Sequence, residues 1–98
     1  MFIIELTYKV PLETIDANLA NHAAFLEKCY AAGHFIASGR KVPRDGGIIL
    51  AAAESKLVLA DIIAEDPFYK LQLADYTITE FQVTKSAAAI ASFFEENS

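Results

Sequence analysis

Apolar and polar residues alternate along the first ten positions of the chain, which is the pattern of a strand with one buried face. One side carries Phe2, Ile4, Leu6, Tyr8 and Val10, and the other carries Ile3, Glu5, Thr7 and Lys9. The next residue, Pro11, has no backbone N–H to donate to a sheet. We therefore predict a strand over Phe2–Val10 that ends at Pro11.

The period then changes to that of a helix between Ile15 and Ala32. A stripe of apolar or small residues and one histidine recurs at spacings of 4, 3, 4, 3 and 4 residues: Ile15, Leu19, His22, Leu26, Cys29 and Gly33. Residues at these spacings share one face of a helix. Gly33 stands where a left-handed helix stop is expected. The pattern predicts a helix with His22 on its buried face.

The remaining sequence predicts further elements in a regular order. They are a strand His34–Val42, a turn Arg44–Gly47, a strand Ile48–Ala53, a helix Lys56–Glu65 capped by Ser55, a helical turn Phe68–Ala74, a strand Asp75–Lys85 and a helical tail Ser86–Glu96. Asp66 ends the second helix because the residue before a proline avoids helical geometry. The alternation of apolar and polar residues shifts by one position between Ile78 and Phe81, which predicts a bulge near Thr79-Glu80.

The order β-α-β-β-α-β with a C-terminal helix is typical of the ferredoxin-like α+β fold. Right-handed crossovers place both main helices on one face of a four-stranded antiparallel sheet. In the predicted strands, apolar residues occur on both faces of the sheet, among them Ile3, Ile36, Ile49 and Ala51. We therefore expect the open sheet face to be covered by a second copy, in a homodimer joined sheet to sheet. The 98 residues form one domain, with a core over 1–85 and a tail over 86–98.

Composition excludes several classes of protein. A hydrophobic share of 54% excludes disorder, and a net charge of −5 argues against nucleic acid as a partner. A single cysteine forms no internal disulfide and no zinc spacing. No apolar run approaches the ~18 residues of a membrane span, and the first residues lack the basic start of a signal peptide. We expect a cytoplasmic protein without a membrane partner.

His22 and Asp66 are the main candidates for chemistry. A histidine on a buried stripe needs a polar partner, and a backbone carbonyl in the core is one alternative. Asp66 before Pro67 is also a common helix start, which is the alternative explanation for that residue. In the predicted topology, however, the two helix lengths bring the Asp66 corner to the level of His22. A carboxylate there would fix the tautomer of a histidine acting as general base.

Three of the eight basic residues fall within five positions, at Arg40, Lys41 and Arg44. The cluster predicts either a solvated hairpin or a clamp for an anionic substrate. Arg40 is the better clamp candidate because its planar fork binds bidentately. Ser38 would add a hydroxyl, and Gly39 would let the backbone approach a ligand. No metal cluster, phosphate loop or dinucleotide fingerprint is present, so we expect no metal and no cofactor.

The sequence closely resembles the YciI-like, or YCII-related, family over roughly residues 1–85. The resemblance lies in the stretches NHAAFL, AAGHFIASGRKVPRDGGIIL and EDPFYKLQLADYTITEF. It implies a ferredoxin-like fold that dimerises through its sheet, and a small pocket whose His and Asp map onto His22 and Asp66. A characterised relative is similar to a dehydrochlorinase of chlorinated hydroxylated aromatics. Arg40 stands where proline often follows Ser-Gly in the family.

Two functions follow as hypotheses. The first is a small lyase or hydrolase in which His22 moves a proton, Asp66 orients the ring, and Ser38, Gly39 and Arg40 position a small anionic or phenolic substrate. The second is a ligand-binding or interaction module whose His-Asp pair is structural. An occupied, closed pocket lined by His22 would favour the enzyme, and a dry core around His22 would favour the module.

Overall fold

The structure is a computed structural model that describes the backbone of residues 1–95 and the side chains of residues 1–93. In chain order the elements are β1 (Phe2–Tyr8), α1 (Leu12–Ala17), α2 (Leu19–Ala31), β2 (Phe35–Arg40), β3 (Gly46–Ala51), α3 (Lys56–Ile63), α4 (Pro67–Lys70), β4 (Ala74–Glu80), a 3-10 turn (Ala88–Ile90) and α5 (Ser92–Glu95). The predicted order of strands and main helices is confirmed.

The four strands form one antiparallel sheet in the order β2-β3-β1-β4. In β1, the residues Phe2, Ile4 and Leu6 are buried, whereas Ile3 and Thr7 are exposed. The buried side packs with helix residues in one core, which includes Ile15, Phe25, Leu59, Ile63 and Phe68. The helices therefore cover one face of the sheet, as the alternation predicts, and the fold is the expected four-stranded α+β arrangement.

The first predicted helix is divided in two. Helical structure begins at Leu12 rather than Ile15 and is interrupted at Asn18, whose φ of −111° and ψ of 5° are not helical. The Asn18 side-chain amide donates to the Thr14 carbonyl at 2.9 Å. Asparagine side chains compete with the helix backbone in this way, which explains the break between α1 and α2. Sequence periodicity missed it because the apolar spacing continues across Asn18 to Leu19, although Leu19 is 39% exposed in the structure.

The predicted bulge lies in another strand. The register of β4 on β1 is unbroken from Phe2↔Glu80 to Tyr8↔Ala74, so the bulge expected near Thr79 is wrong. The strand also ends at Glu80 rather than Lys85, because its only strand neighbour, β1, begins at Phe2. The register shift occurs instead in β2, between Phe35 and Ala37.

Smaller differences concern the hairpin, the second helix and the tail. Gly46 and Gly47 belong to β3, because both pair with β1 rather than forming the predicted turn. Ser55 caps α3 as predicted, accepting from the Val58 amide at 3.2 Å, but the helix ends at Ile63 rather than Glu65. The C-terminal helix is shorter than predicted, since residues 81–87 are not helical and a 3-10 turn precedes α5. The predicted end at Glu96 lies outside the described residues.

Candidate functional site

His22 is held between the two helical elements of the site. It lies on α2 with only 9% of its surface exposed. Its ring stacks face to face on the ring of Phe68 from α4, with centroids 4.0 Å apart and an interplanar angle of 2°. Phe25, one turn further along α2, lies on a tilted plane with centroids 6.4 Å apart. These aromatic contacts fix the plane of the imidazole.

Asp66 is fully buried and accepts three hydrogen bonds. Its Oδ1 accepts from His22 Nδ1 at 2.8 Å and from the Phe68 backbone amide at 2.9 Å. Its Oδ2 accepts from the Tyr76 hydroxyl at 2.5 Å. The carboxylate is thus both the N-cap of α4 and the partner of His22, so the partner of the buried imidazole is a side chain rather than a backbone carbonyl.

This network assigns the tautomer of His22. An acceptor-only carboxylate at Oδ1 requires that Nδ1 carry a hydrogen and donate it. The neutral ring then has its lone pair on Nε2. Among residues 1–93, Nε2 forms no hydrogen bond with the protein, and the ring lines a cavity. A lone pair in this position can accept a proton from a bound molecule.

The groups nearest Asp66 keep their protons. Burial, followed by the negative charge of Asp66, raises the pKa of Tyr76 well above its usual range. Tyr76 is therefore neutral and able to donate to the carboxylate. Burial raises the pKa of the Cys29 thiol, and the charge of Asp66 adds to this effect. Cys29 lies in the core, so it is a packing residue, as its place on the helix stripe indicates.

The cavity beside His22 has a volume of about 350 Å³. Its apolar walls come from both layers of the fold and include Leu6, Leu19, Leu26, Ile49 and Phe68. The polar side chains on its walls are Tyr8, His22, Ser38 and Arg40. Such a mainly apolar space with a few convergent polar groups is typical of a small-molecule site.

The bulge in β2 decides which side chains reach this cavity. After the bulge, Ser38 pairs with Ile49 and Arg40 pairs with Gly47, so both share the helix-covered face. An unbroken strand from Phe35 would place both on the open face, since side chains alternate. Gly39 lines the cavity through its backbone, and a Cβ added there would meet nothing within 4 Å.

The three basic residues of the cluster have different partners. Arg40 lines the cavity, and within residues 1–93 it forms no ion pair. Lys41 lies on the open face, where it bonds Glu5 at 2.9 Å. Arg44 pairs with Asp16 of α1 at 2.5 Å, which lowers the pKa of that carboxyl. Of the three, only Arg40 lines the cavity beside His22.

Several residues of the site were not singled out from the sequence. Tyr76 bonds Asp66, Tyr30 bonds the Ser38 hydroxyl at 2.6 Å, and Tyr8 lines the cavity. Their spacing carries no motif, because each comes from a different element. Tyr8 alone had a usable signal, since it continues the helix-facing phase of β1.

Comparison with known proteins agrees with this architecture. Residues 1–82 match the family model of the YCII-related domain. The chain belongs to this family. The matched range includes His22, Asp66 and every cavity residue named above, and it ends before the C-terminal tail. No curated protein matches the chain at a significant level.

A solved structure shares the fold. The YCII-related chain is similar to 5-chloro-2-hydroxyhydroquinone dehydrochlorinase (TftG) from Burkholderia phenoliruptrix AC1100, determined in complex with 2,5-dihydroxybenzoquinone. The TM-score is 0.69 with 21% sequence identity, covering 84% of this chain and 94% of the other. In the described part of this chain, helices are too short or too polar to cross a membrane. Residues 1–95 likewise gather no group of three potential metal ligands.

Proposed function

We propose that this protein is a small enzyme in which His22 acts as general base on a small anionic or phenolic substrate. The observation that carries the proposal is the position of the imidazole between a buried carboxylate and a cavity. Asp66 holds Nδ1 at 2.8 Å, and the same ring lines a space of about 350 Å³. A His-Asp pair with a purely structural role would need no cavity beside it, and a ring placed to take a proton from a molecule in that cavity favours an enzyme over a ligand-binding module.

The arrangement supports proton transfer rather than covalent catalysis. Nε2 of His22 takes a proton from a substrate O–H or an activated C–H, while Nδ1 keeps its hydrogen bond to Asp66. The carboxylate stabilises the imidazolium that forms. Ser38, the aliphatic hydroxyl on the cavity wall, bonds Tyr30 rather than His22, so it is not activated as a nucleophile. Elimination or isomerisation is therefore favoured over hydrolysis through an acyl-enzyme.

The cavity walls support the substrate class. Arg40 provides a positive charge that forms no ion pair among residues 1–93 and acts on Asp16 only at longer range, which suits a carboxylate or phenolate oxygen. Ser38 and the backbone of Gly39 lie beside it. The apolar walls and the Phe68 ring suit a planar ring. The dihydroxybenzoquinone held by the dehydrochlorinase has both properties, a planar ring and ionisable oxygens.

Halide release from halogenated hydroxyhydroquinones, including 5-chloro-2-hydroxyhydroquinone, tests the role of His22. Replacement of His22 by Gln should lower the rate by about 10²–10⁴-fold. His34→Gln is the matched control, because it changes the only other histidine and leaves the rate unchanged. A His22→Gln variant as fast as the parent would contradict the proposal. Binding of these compounds without turnover by the parent protein would support the binding module instead.

Calorimetric titration with 2,5-dihydroxybenzoquinone tests Arg40 separately. Loss of a hydrogen bond to a charged group costs about 1.5–3 kcal/mol, so Arg40→Met should weaken binding by about 10–100-fold. Lys28→Met is the control, since Lys28 is exposed on α2 and does not line the cavity. If Arg40→Met and Lys28→Met bind 2,5-dihydroxybenzoquinone with equal affinity, Arg40 does not belong to the binding site.

We also propose that two copies join through the open sheet face. Ile3 and Ile48 are each 38% exposed there, and the half-buried Leu50 pairs with Ile3. Light scattering should give twice the chain mass of 10.7 kDa. Ile48→Glu should return the mass to one chain because it places a charge in the apolar face. Leu57→Glu on α3 is the control, and a parent protein of 10.7 kDa would refute the dimer.

A further inference from the structure

Tyr8 faces the same cavity as His22 from the opposite layer of the molecule. It is the last residue of β1 and shares the helix-covered side of the sheet with Phe2, Ile4 and Leu6. Its ring meets the edge of Phe68 at 88°, with centroids 6.1 Å apart. Phe68 in turn stacks on His22 at 4.0 Å. The phenol and the imidazole thus flank one aromatic ring and line one space.

The backbone on both sides of the phenol is fixed. The Tyr8 amide donates to the Asp45 carbonyl at 2.8 Å, and the next amide, of Lys9, donates to the Leu73 carbonyl at 3.0 Å. These bonds attach the end of β1 to the β2–β3 hairpin and to the start of β4. A side chain on such a support keeps its position during a reaction.

A positive charge adjoins the Tyr8 phenol. Arg44 pairs with Asp16 at 2.5 Å, and its pKa is raised chiefly by that carboxylate, with a further contribution from Tyr8. A guanidinium has donors and no acceptor, so the hydroxyl hydrogen of Tyr8 cannot bond to Arg44. That hydrogen stays available to a molecule in the cavity. A cation beside the phenol oxygen also makes the O–H a better donor.

We propose that Tyr8 is a second catalytic residue, whose hydroxyl donates a hydrogen bond to the substrate oxygen on which negative charge develops. The inference rests on the proposed function of His22. His22 Nε2 takes the proton, and the electron pair of the broken bond moves onto the substrate oxygen as a phenolate or enolate. Tyr8 keeps its own proton and stabilises that oxygen, with the charge of Arg44 behind it.

This assignment narrows the substrate class. The base and the donor line one cavity of about 350 Å³, so the acidic proton and the charged oxygen belong to one small molecule. A hydroxylated aromatic or an enolisable cyclic ketone has this arrangement. Arg40 then serves a second anionic group, because it reaches the cavity from β2 rather than from β1. We infer a substrate with two oxygen functions.

Binding of 4-nitrophenol followed by its visible spectrum tests the role of Tyr8. The parent protein should bind the phenolate and move its absorption band to shorter wavelength, the effect of a hydrogen-bond donor on the phenolate oxygen. Tyr8→Phe should bind it about 10–100-fold more weakly, without the band shift. Tyr69→Phe is the matched control, since that ring lies outside the cavity and its variant should behave like the parent.

Each outcome separates the two proposals. If the absorption band of 4-nitrophenol and its affinity change in His22→Gln but not in Tyr8→Phe, the assignment of Tyr8 is wrong. The proposed role of His22 is then unaffected. No binding by the parent, or binding that neither substitution changes, overturns both. Far-ultraviolet circular dichroism shows that the variants are folded, and Tyr8→Phe keeps the ring that contacts Phe68.

Discussion

Removal of the Tyr76 hydroxyl should destabilise the protein at neutral pH. In the parent, this hydroxyl is the one hydrogen-bond donor to Oδ2 of the fully buried Asp66 among the described residues, at 2.5 Å. Tyr76→Phe leaves that oxygen without a partner. Loss of a hydrogen bond to a charged group costs about 1.5–3 kcal/mol, so we expect about 2 kcal/mol. In a domain of this size the melting temperature should fall by about 8–16 °C.

The difference between parent and variant should shrink at alkaline pH. Burial and the charge of Asp66 hold the pKa of Tyr76 above its ordinary value of 10.0. Above that pH the unfolded chain loses the phenol proton while the folded chain keeps it, so the stabilisation present below pH 10 is lost as pH rises. The slope is up to about 1.4 kcal/mol per pH unit. A gap of about 2 kcal/mol should therefore close about 1.5 pH units above 10.

Urea unfolding at a series of pH values from neutral to alkaline measures both effects. Tyr69→Phe is the control, because Tyr69 packs edge-on against Tyr76 at 5.6 Å and is 50% exposed. The raised pKa of Cys29 adds an alkaline loss common to all variants. A neutral-pH loss no larger than that of Tyr69→Phe would refute the hydrogen bond to Asp66. If the free energies of unfolding of the parent and Tyr76→Phe differ by a constant amount through the alkaline range, folded Tyr76 does not retain its phenol proton.

Three further substitutions test the fold around the site. Gly46→Ala should fail to fold stably, because the added Cβ would lie 1.7 Å from the Leu6 carbonyl oxygen. A soluble variant that melts at the same temperature as the parent would contradict the strand register. Gln72→Gly should raise the free energy of unfolding by up to about 1 kcal/mol, since Gln72 has a φ of 56°, and a loss in urea would argue against that backbone. Asp16→Asn should be less stable than the parent above pH 3.8, because Arg44 lowers the pKa of Asp16, and the gap should close as the pH falls below that value. A gap that persists at pH 2 would show that the carboxylate charge is not involved.

The order of the elements follows from local patterns. A period of two residues in β1 and spacings of three and four residues in α2 depend only on neighbouring residues, and the structure confirms both elements. The same stripe predicts a buried His22, which is 9% exposed in the structure. Helix lengths then placed Asp66 at the level of His22, and the two side chains are in direct contact. Local periodicity is readable because it expresses which face of an element avoids water.

Tertiary structure alone decided how the site is completed. The bulge between Phe35 and Ala37 depends on how β2 pairs with β3, and it turns Ser38 and Arg40 from the open face to the cavity. No residue pattern within β2 indicates this shift, because the two possible registers of β2 differ only in the β3 residues with which it pairs. The order and lengths of the elements can therefore largely be predicted from the sequence. The sheet face on which Ser38 and Arg40 lie is set by strand register instead.

The hydrogen bonds of Asp66 show the same division. Its bond to the Phe68 amide is local and follows from the Asp-Pro helix start. Its bonds to His22 and Tyr76 join residues 44 and 10 positions away, and the tyrosine was not distinguished from the others by its spacing. Local sequence patterns predict the cap, the buried histidine and the strands of the sheet. Only the packing of α2, α4 and β4 around one carboxylate decided its partners, because hydrogen bonds across a core depend on distances that no local pattern encodes.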